Sequence, residues 1–351
     1  MIFKINRPLL IRTDVKGCRD LLLQGSDDWN SIILPEDGVE ALLTYLQSAK
    51  KSIRCKHFKL IESTVIQALI AAQHRGVSVR VMLNPKRSDS SRVNDETVEL
   101  LRNAGVDAEW TSPKFAVSHE KSIVVDDTYA LIATFNVCPS CMVKVRDYGV
   151  ITNNADIVAE IARCFDADWI REPFIPTENS LLLWSNDNSR VKMAAFIDET
   201  KDTLDIQHPK MVDSVILDRL LEAQARGVKI RFLCGGNSGL SSWDVLESLS
   251  AWRILRRSGI KIRIQKTPKL HAKLIVADKK KLLLSSLNID RSAFDLRREL
   301  GVIVDNPAVV ERLQQRFLLD WAKAQKYRIP DPLKATDKAK LSATEAYFQH
   351  E

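Results

Sequence analysis

HEKSIVVD, residues 119–126, and HAKLIVAD, residues 271–278, decide how this chain reads. Each places a histidine and a lysine two residues apart at the head of an apolar run. In an extended chain, side chains at i and i+2 share a face, so His119 stands with Lys121 and His271 with Lys273. The runs behind them, Ile123–Val125 and Leu274–Ala277, are what seats such a strand in a core. Asp126 and Asp278 close the two octets at the strand ends, where they are expected to support the scaffold rather than touch a substrate.

A lone His-x-Lys carries little weight. His57-Phe-Lys59 and His208-Pro-Lys210 have the same spacing, yet Thr64 and Val215 stand where the acid should be. The octets are different because each heads a longer set. Thr134 with Asn136, and Ser286 with Asn288, alternate onto one face downstream. An acid follows eleven residues after each asparagine, Asp147 in one copy and Glu299 in the other.

The copies belong to an internal duplication. At a shift of 152 residues the segment His119–Trp169 falls on His271–Trp321 without a gap, and about a third of the positions are identical, well above chance from residue usage. Among the matches are Arg146/Arg298, Gly149/Gly301, Phe165/Phe317, Asp168/Asp320 and Trp169/Trp321. Upstream the shift is 151, which aligns Arg75-Gly76-Val77 with Arg226-Gly227-Val228 and His57 with His208.

Each half spells the same order of elements. A strand (Ser52–Leu60; Thr203–His208) leads to an amphipathic helix (Thr64–His74; Val215–Ala225), which a glycine ends before a β-branched strand (Val77–Leu83; Val228–Leu233). A second helix follows (Asp95–Asn103; Val245–Arg257), then the strand with His and Lys, a short strand, and a closing helix ending at Trp169 or Trp321. Alternating strands and helices predict an α/β fold of two pseudo-symmetric halves, each a mixed sheet flanked by helices. The expected division is residues 1–175, 176–330 and a polar tail, 331–351. The joint falls in Arg171–Asn179, rich in proline and polar residues.

The doubled HxKxxxxD, with Ser/Thr-x-Asn and an acid behind it, resembles the phospholipase D superfamily over about residues 40–325. The usual Gly-Ser before x-Asn is Ala133-Thr134 in one half and Ser285-Ser286 in the other, which keeps the hydroxyl. Asp147 stands where Glu is commoner and reaches less far toward its histidine. The resemblance implies that the two halves pack with one active site at their interface. It implies catalysis by His119, Lys121, Asn136 and Asp147 with His271, Lys273, Asn288 and Glu299. One histidine would attack phosphorus to form a phosphohistidine and the other would protonate the leaving oxygen. An imidazole pKa near ~6.5 allows one neutral and one charged ring at neutral pH. The lysines and asparagines would hold the phosphoryl oxygens, and the acids would orient the rings. By analogy His119 is the nucleophile and His271 the acid, although the residues themselves leave the roles interchangeable. No metal or cofactor is expected. Thr134 and Ser286 are placed at the substrate, and His57 and His208 at the phosphate entrance or, failing that, on the surface.

Composition narrows the rest. The chain has 351 residues, 45% of them hydrophobic and 28% charged, with a net charge of +7, a mild basic bias that suits a phosphate-bearing partner. No apolar run approaches the roughly 18 residues of a membrane span, and Pro8–Ile11 is too short for a secretory signal, so a cytoplasmic, monomeric protein with at most peripheral membrane contact is expected. Of six cysteines only Cys138-Pro-Ser-Cys141 lies close together, and it is expected to be a pair of reduced thiols, since no further ligands complete a zinc site. Phospholipid is the favoured substrate, with Phe135–Met142 and Gly235–Trp243 as a candidate apolar rim. A nuclease is the alternative, resting on the charge and on Lys86-Arg87 beside the loop Ser88–Arg92.

Overall fold

The computed structural model describes residues 29–86, 90–236 and 242–329. The segment 1–17 read for a signal, residues 87–89, most of the Gly235–Trp243 loop and the tail 331–351 lie outside the described residues.

The first half is built on a mixed sheet. Its strands run in the order Trp29–Leu34, Val145–Thr152, Tyr129–Ala133, Lys121–Val125, Ser52–His57, Ser78–Leu83 and Asp107–Trp110. The second half repeats this as Leu182–Trp184, Leu300–Val304, Lys281–Ser285, Leu274–Ala277, Thr203–Gln207, Lys229–Cys234 and Lys261–Ile264, with Gln325–Lys326 added at the edge. In both, the central strands pair antiparallel and the last three parallel, as their helical crossovers require. The expected helices are present as Ser63–His74, Asp95–Asn103, Ser214–Ala225 and Ser242–Arg257.

Burial explains the apolar octets. Ile123 and Val125 enter the core of the first half, whereas Val124 faces the opposite way. There it joins Leu274, Val276, Leu284 and Val302 of the second half in a core that the two sheets share. Helices Ala155–Ile170 and Pro307–Lys323 also bury residues in that middle layer. A strand covered on both faces needs a continuous run rather than an alternating one. The matched glycines have a local cause: a Cβ on Gly149 would stand 3.0 Å from the Phe135 ring, and one on Gly301 2.8 Å from the Ser285 Cβ.

The halves also exchange backbone. Lys269–Leu270 pairs parallel with Val145–Arg146, and Arg297–Arg298 pairs parallel with Val117–Ser118. These contacts are related by the same shift of 152 residues as the repeat. Twin Arg–Asp bridges reinforce them. Arg298 donates two hydrogen bonds to Asp168 across the seam, at 3.0 and 2.8 Å, and Arg146 donates two to Asp320, at 2.7 and 3.3 Å.

Candidate active site

The exchanged strands set the histidines. The backbone N–H groups of His119 and Glu120 donate to the Arg298 carbonyl, and those of His271 and Ala272 donate to the Arg146 carbonyl. One residue beyond each arginine is an acid, so each acid reaches the histidine of the opposite half. His119 Nδ1 lies 2.9 Å from Glu299 Oε2, and His271 Nδ1 lies 3.0 Å from both Asp147 oxygens. The short reach of Asp147 therefore bears on His271, not on the histidine of its own half, and it loses nothing there.

Both rings open on one cleft of about 440 Å³, lined also by Asn136, Asn288, Phe58 and Pro209. The asparagine Oδ1 atoms have no protein hydrogen-bond partner, which leaves each carboxamide able to turn toward a ligand. Lys273 Nζ stands 3.1 Å from His271 Nε2 and donates to the His271 carbonyl at 2.7 Å. Lys121 Nζ donates to the His119 carbonyl and sits over the Phe58 ring. Phe58 in turn meets the His119 ring edge-on, with centroids 4.8 Å apart.

The rings are not equivalent. His119 is buried, while the His271 side chain is 30% exposed. Burial, with the charges of Lys121, Lys273 and Arg297, holds the His119 pKa well below its ordinary value. Burial also lowers His271, but there the Asp147 carboxylate opposes it. Burial alone would raise Asp147; the His271 contact, Lys273 and the Thr134 hydroxyl outweigh it and keep that acid ionised. At Glu299 burial outweighs the opposing charges of Lys121, Arg297 and Lys273 and the Ser286 hydroxyl, and pushes the pKa up to about 7. Burial and crowding bring Lys273 down to about 8 and Lys121 well below its ordinary value.

Other expected residues sit elsewhere. Thr134 and Ser286 are wholly buried and do not line the cleft. Thr134 Oγ1 donates to Asp147 at 2.6 Å and accepts from the Tyr148 N–H, and Ser286 Oγ accepts from the Leu300 N–H at 3.0 Å. Their hydroxyls thus face the acids and the adjoining strand, because the alternation that brings Asn136 to the cleft continues inward. His57 and His208 are buried as well, neither at the surface nor at the cleft. Burial holds both neutral, with pKa values near about 3. Asp126 accepts from the N–H groups of Lys50, Lys51 and Ser52, and Asp278 from those of Lys201, Asp202 and Thr203, so each ties its strand end to the start of a neighbour.

Cys138 and Cys141 form a disulfide at the cleft wall rather than a pair of thiols. Cys138 caps the helix Pro139–Lys144 and Cys141 lies in its first turn, which sets their Cα atoms 5.1 Å apart, within bridging range. One cluster was missed by sequence reasoning. Glu120, Cys164 and Asp168 offer ligand atoms within 4.8 Å of one another, the spacing of a metal site. The Lys56 ammonium lies among them, 2.9 Å from Glu120, 3.7 Å from Cys164 and 2.8 Å from Asp168, and supplies the cation itself.

Two repeated α/β halves, interlocked by strands and sharing a pair of imidazole–ammonium sets across one cleft, define a duplicated phospholipase D-like protein. The family described as cardiolipin synthase, PLD-like domain, matches residues 42–169 and again 193–321, and the chain belongs to it. It is 23% identical over 300 residues to a cardiolipin synthase of Clostridium perfringens, a match that takes in 74% of this chain and 62% of that protein. It is 27% identical over 194 residues to a polyphosphate kinase of Yersinia pestis, spanning 51% of this chain and 28% of the kinase. The crystal structure of a phosphatidylserine synthase from Haemophilus influenzae superposes with a TM-score of 0.69 at 12% identity, covering 95% of this chain and 96% of that one. Among the described residues no helix is long and apolar enough to cross a membrane.

Proposed function

We propose that the chain is a phosphodiesterase that works through a phosphohistidine without needing a metal, and that it acts on phospholipids by hydrolysis or phosphatidyl transfer. The observation that carries this is the crossed pairing of His119 with Glu299 and His271 with Asp147 around one cleft. Neutral His119 attacks phosphorus through Nε2, its Nδ1–H being held by Glu299. His271, favoured as a cation by ionised Asp147, gives its Nε2 proton to the leaving oxygen as the P–O bond breaks. Water or an alcohol then gives that proton back to His271 while its oxygen displaces His119 from phosphorus. Lys121 and Lys273, with Asn136 and Asn288, bear on the equatorial oxygens, where charge develops. Thr134 and Ser286 act as positioning residues for the acids.

Lipid as substrate rests on the activities that name the cardiolipin synthase and phosphatidylserine synthase relatives, and the chain spans 62% of the former's length. Purified protein is expected to release headgroup from phosphatidylglycerol vesicles in EDTA, and His119→Ala to abolish it. Nicking of plasmid DNA in place of lipid turnover would make the chain a nuclease. Silence in both assays would sink the catalytic reading.

A further inference from the structure

The loop behind each cleft asparagine begins alike in the two halves and is then held differently. At its start the Val137 carbonyl accepts from the N–H groups of Ile61 and Glu62, and the Ile289 carbonyl from those of Val212 and Asp213. One residue on, the halves part. Asp290 Oδ1 accepts from the Ala293 N–H at 2.8 Å, and the Lys210 ammonium stands 3.1 Å from the other oxygen. A shift of 152 residues carries Asp290 onto Cys138 and Ala293 onto Cys141. There a disulfide joins the two positions, and the Cys138 side chain makes no capping hydrogen bond. A covalent bond thus holds in one half what a carboxylate holds in the other.

The bond braces residues that the cleft depends on. Cys138 lies two residues after Asn136, and the helix Pro139–Lys144 runs directly into the strand that presents Asp147. Of that helix only Met142 is buried, so packing secures it lightly. The sulfurs are also within reach of a small reagent, since Cys138, Ser140 and Cys141 line the cleft and Cys141 is half-buried. The free cysteines Cys55, Cys164 and Cys234 are buried, and burial raises all three thiols, Cys55 and Cys234 to about 12. A ring closed over so few residues adds little to global stability. Accessible disulfides are the ones that exchange with external thiols.

We propose that Cys138–Cys141 is a reversible thiol–disulfide site through which an external dithiol loosens the cleft wall and slows the reaction. One thiolate of the dithiol attacks the Cys141 sulfur, the S–S bond breaks, and Cys138 leaves as a thiolate that takes up a proton. The second thiolate of the reagent then attacks the reagent's sulfur in the mixed disulfide. That closes the reagent's own disulfide and releases Cys141, which is protonated in turn. Two electrons and two protons pass from the dithiol to the protein. Reduction leaves position 138 without the link that Asp290 supplies at the matched place, and Asn136 and Asp147 lose a shared brace. The effect on turnover rests on the catalytic reading above; the loosening of the wall does not.

The test equilibrates the full chain with glutathione disulfide or with dithiothreitol and reads three things. Alkylation with peptide mapping should find Cys138 and Cys141 unlabelled in the oxidised chain and both labelled in the reduced one. Amide exchange should quicken over residues 140–147 on reduction and stay level over the matched residues 292–299. Turnover of phosphatidylglycerol vesicles in EDTA should fall about 10–100-fold, as a small misplacement at a reacting centre does, and return on reoxidation. Cys138→Asp/Cys141→Ala, which copies Asp290 and Ala293, should lose the response to dithiol in both exchange and turnover. Free thiols at both positions under glutathione disulfide, or equal exchange in the two forms, overturn the site. So does a double variant that still responds, because the effect then belongs to another cysteine. Faster exchange with level turnover overturns control of the reaction and leaves the catalytic reading standing. No turnover in either form sinks that reading, and exchange then decides the site by itself.

Discussion

Asp147 of the first half holds the imidazole of His271 in the second, with both carboxylate oxygens 3.0 Å from Nδ1. Glu299 returns the contact to His119. Asp147→Asn keeps the shape but removes the charge that favours the imidazolium of the proposed acid. A fall in kcat of about 10²–10⁴ is expected, with KM little changed. Steady-state kinetics on vesicles would check it, and a variant with native kcat would refute the assignment.

Glu299 is costly to keep ionised. Its pKa in the fold, about 7, lies above the ordinary 4.5, so the folded chain binds the extra proton between those values. Stability is then lost as pH rises through 7. Glu299→Gln should raise the melting temperature at pH 8, by an amount corresponding to about 2–3 kcal/mol, and make little difference at pH 4. The same substitution should lower turnover. Thermal melts at both pH values, run beside the assay, test the pair of outcomes.

Lys273 sets an alkaline limit. Its pKa near about 8 means that the ammonium is lost as pH climbs past that value, and with it a contact to the phosphoryl oxygens. kcat/KM should decline above pH 8. Bound substrate, being an anion, stabilises the ammonium, so the limb in kcat should lie at higher pH than the limb in kcat/KM. Coincident limbs would argue against Lys273 as a phosphate ligand.

The neutral buried histidines set an acid limit on folding. His57 and His208 have pKa values near about 3 in the fold, below the ordinary 6.5, so the unfolded chain takes up protons first as pH falls. Stability contributed by their neutral forms is present above 6.5 and is lost progressively below it. His57→Gln, which cannot be protonated, should flatten the loss of stability between pH 6.5 and 4 in urea melts.

The Arg–Asp bridges across the seam are buried, and removing an arginine takes away one of the two cations that each aspartate holds. Arg298→Ala should cost about 1.5–3 kcal/mol, measured by denaturant unfolding. Asp168 keeps Lys56 at 2.8 Å when Arg298 is removed, as Asp320 keeps Arg316 at 2.9 Å when Arg146 is removed, so the two substitutions should cost about the same.

Much of this was legible in the sequence because a duplication supplies its own alignment. The order of strands and helices, the octets, and Asn136 with Asn288 all follow from periodicity and the repeat. The crossed pairing of the acids was not legible. It depends on parallel pairings only two residues long, Lys269–Leu270 and Arg297–Arg298, too short to leave a pattern. The burial of Thr134 and Ser286 escaped for a related reason: alternation shows which residues share a face but not where the cleft floor ends. The Lys56 cluster has no counterpart in the repeat, since Gln207 and Arg316 occupy the positions matching Lys56 and Cys164.

The reciprocal strands have one more consequence. Because each of the two cleft imidazoles borrows its anion from the opposite side of the seam, neither half should be competent alone, however well it folds. A chain severed within 171–179 would regain turnover only through reassembly of its fragments, so its rate would report how often the two pieces meet.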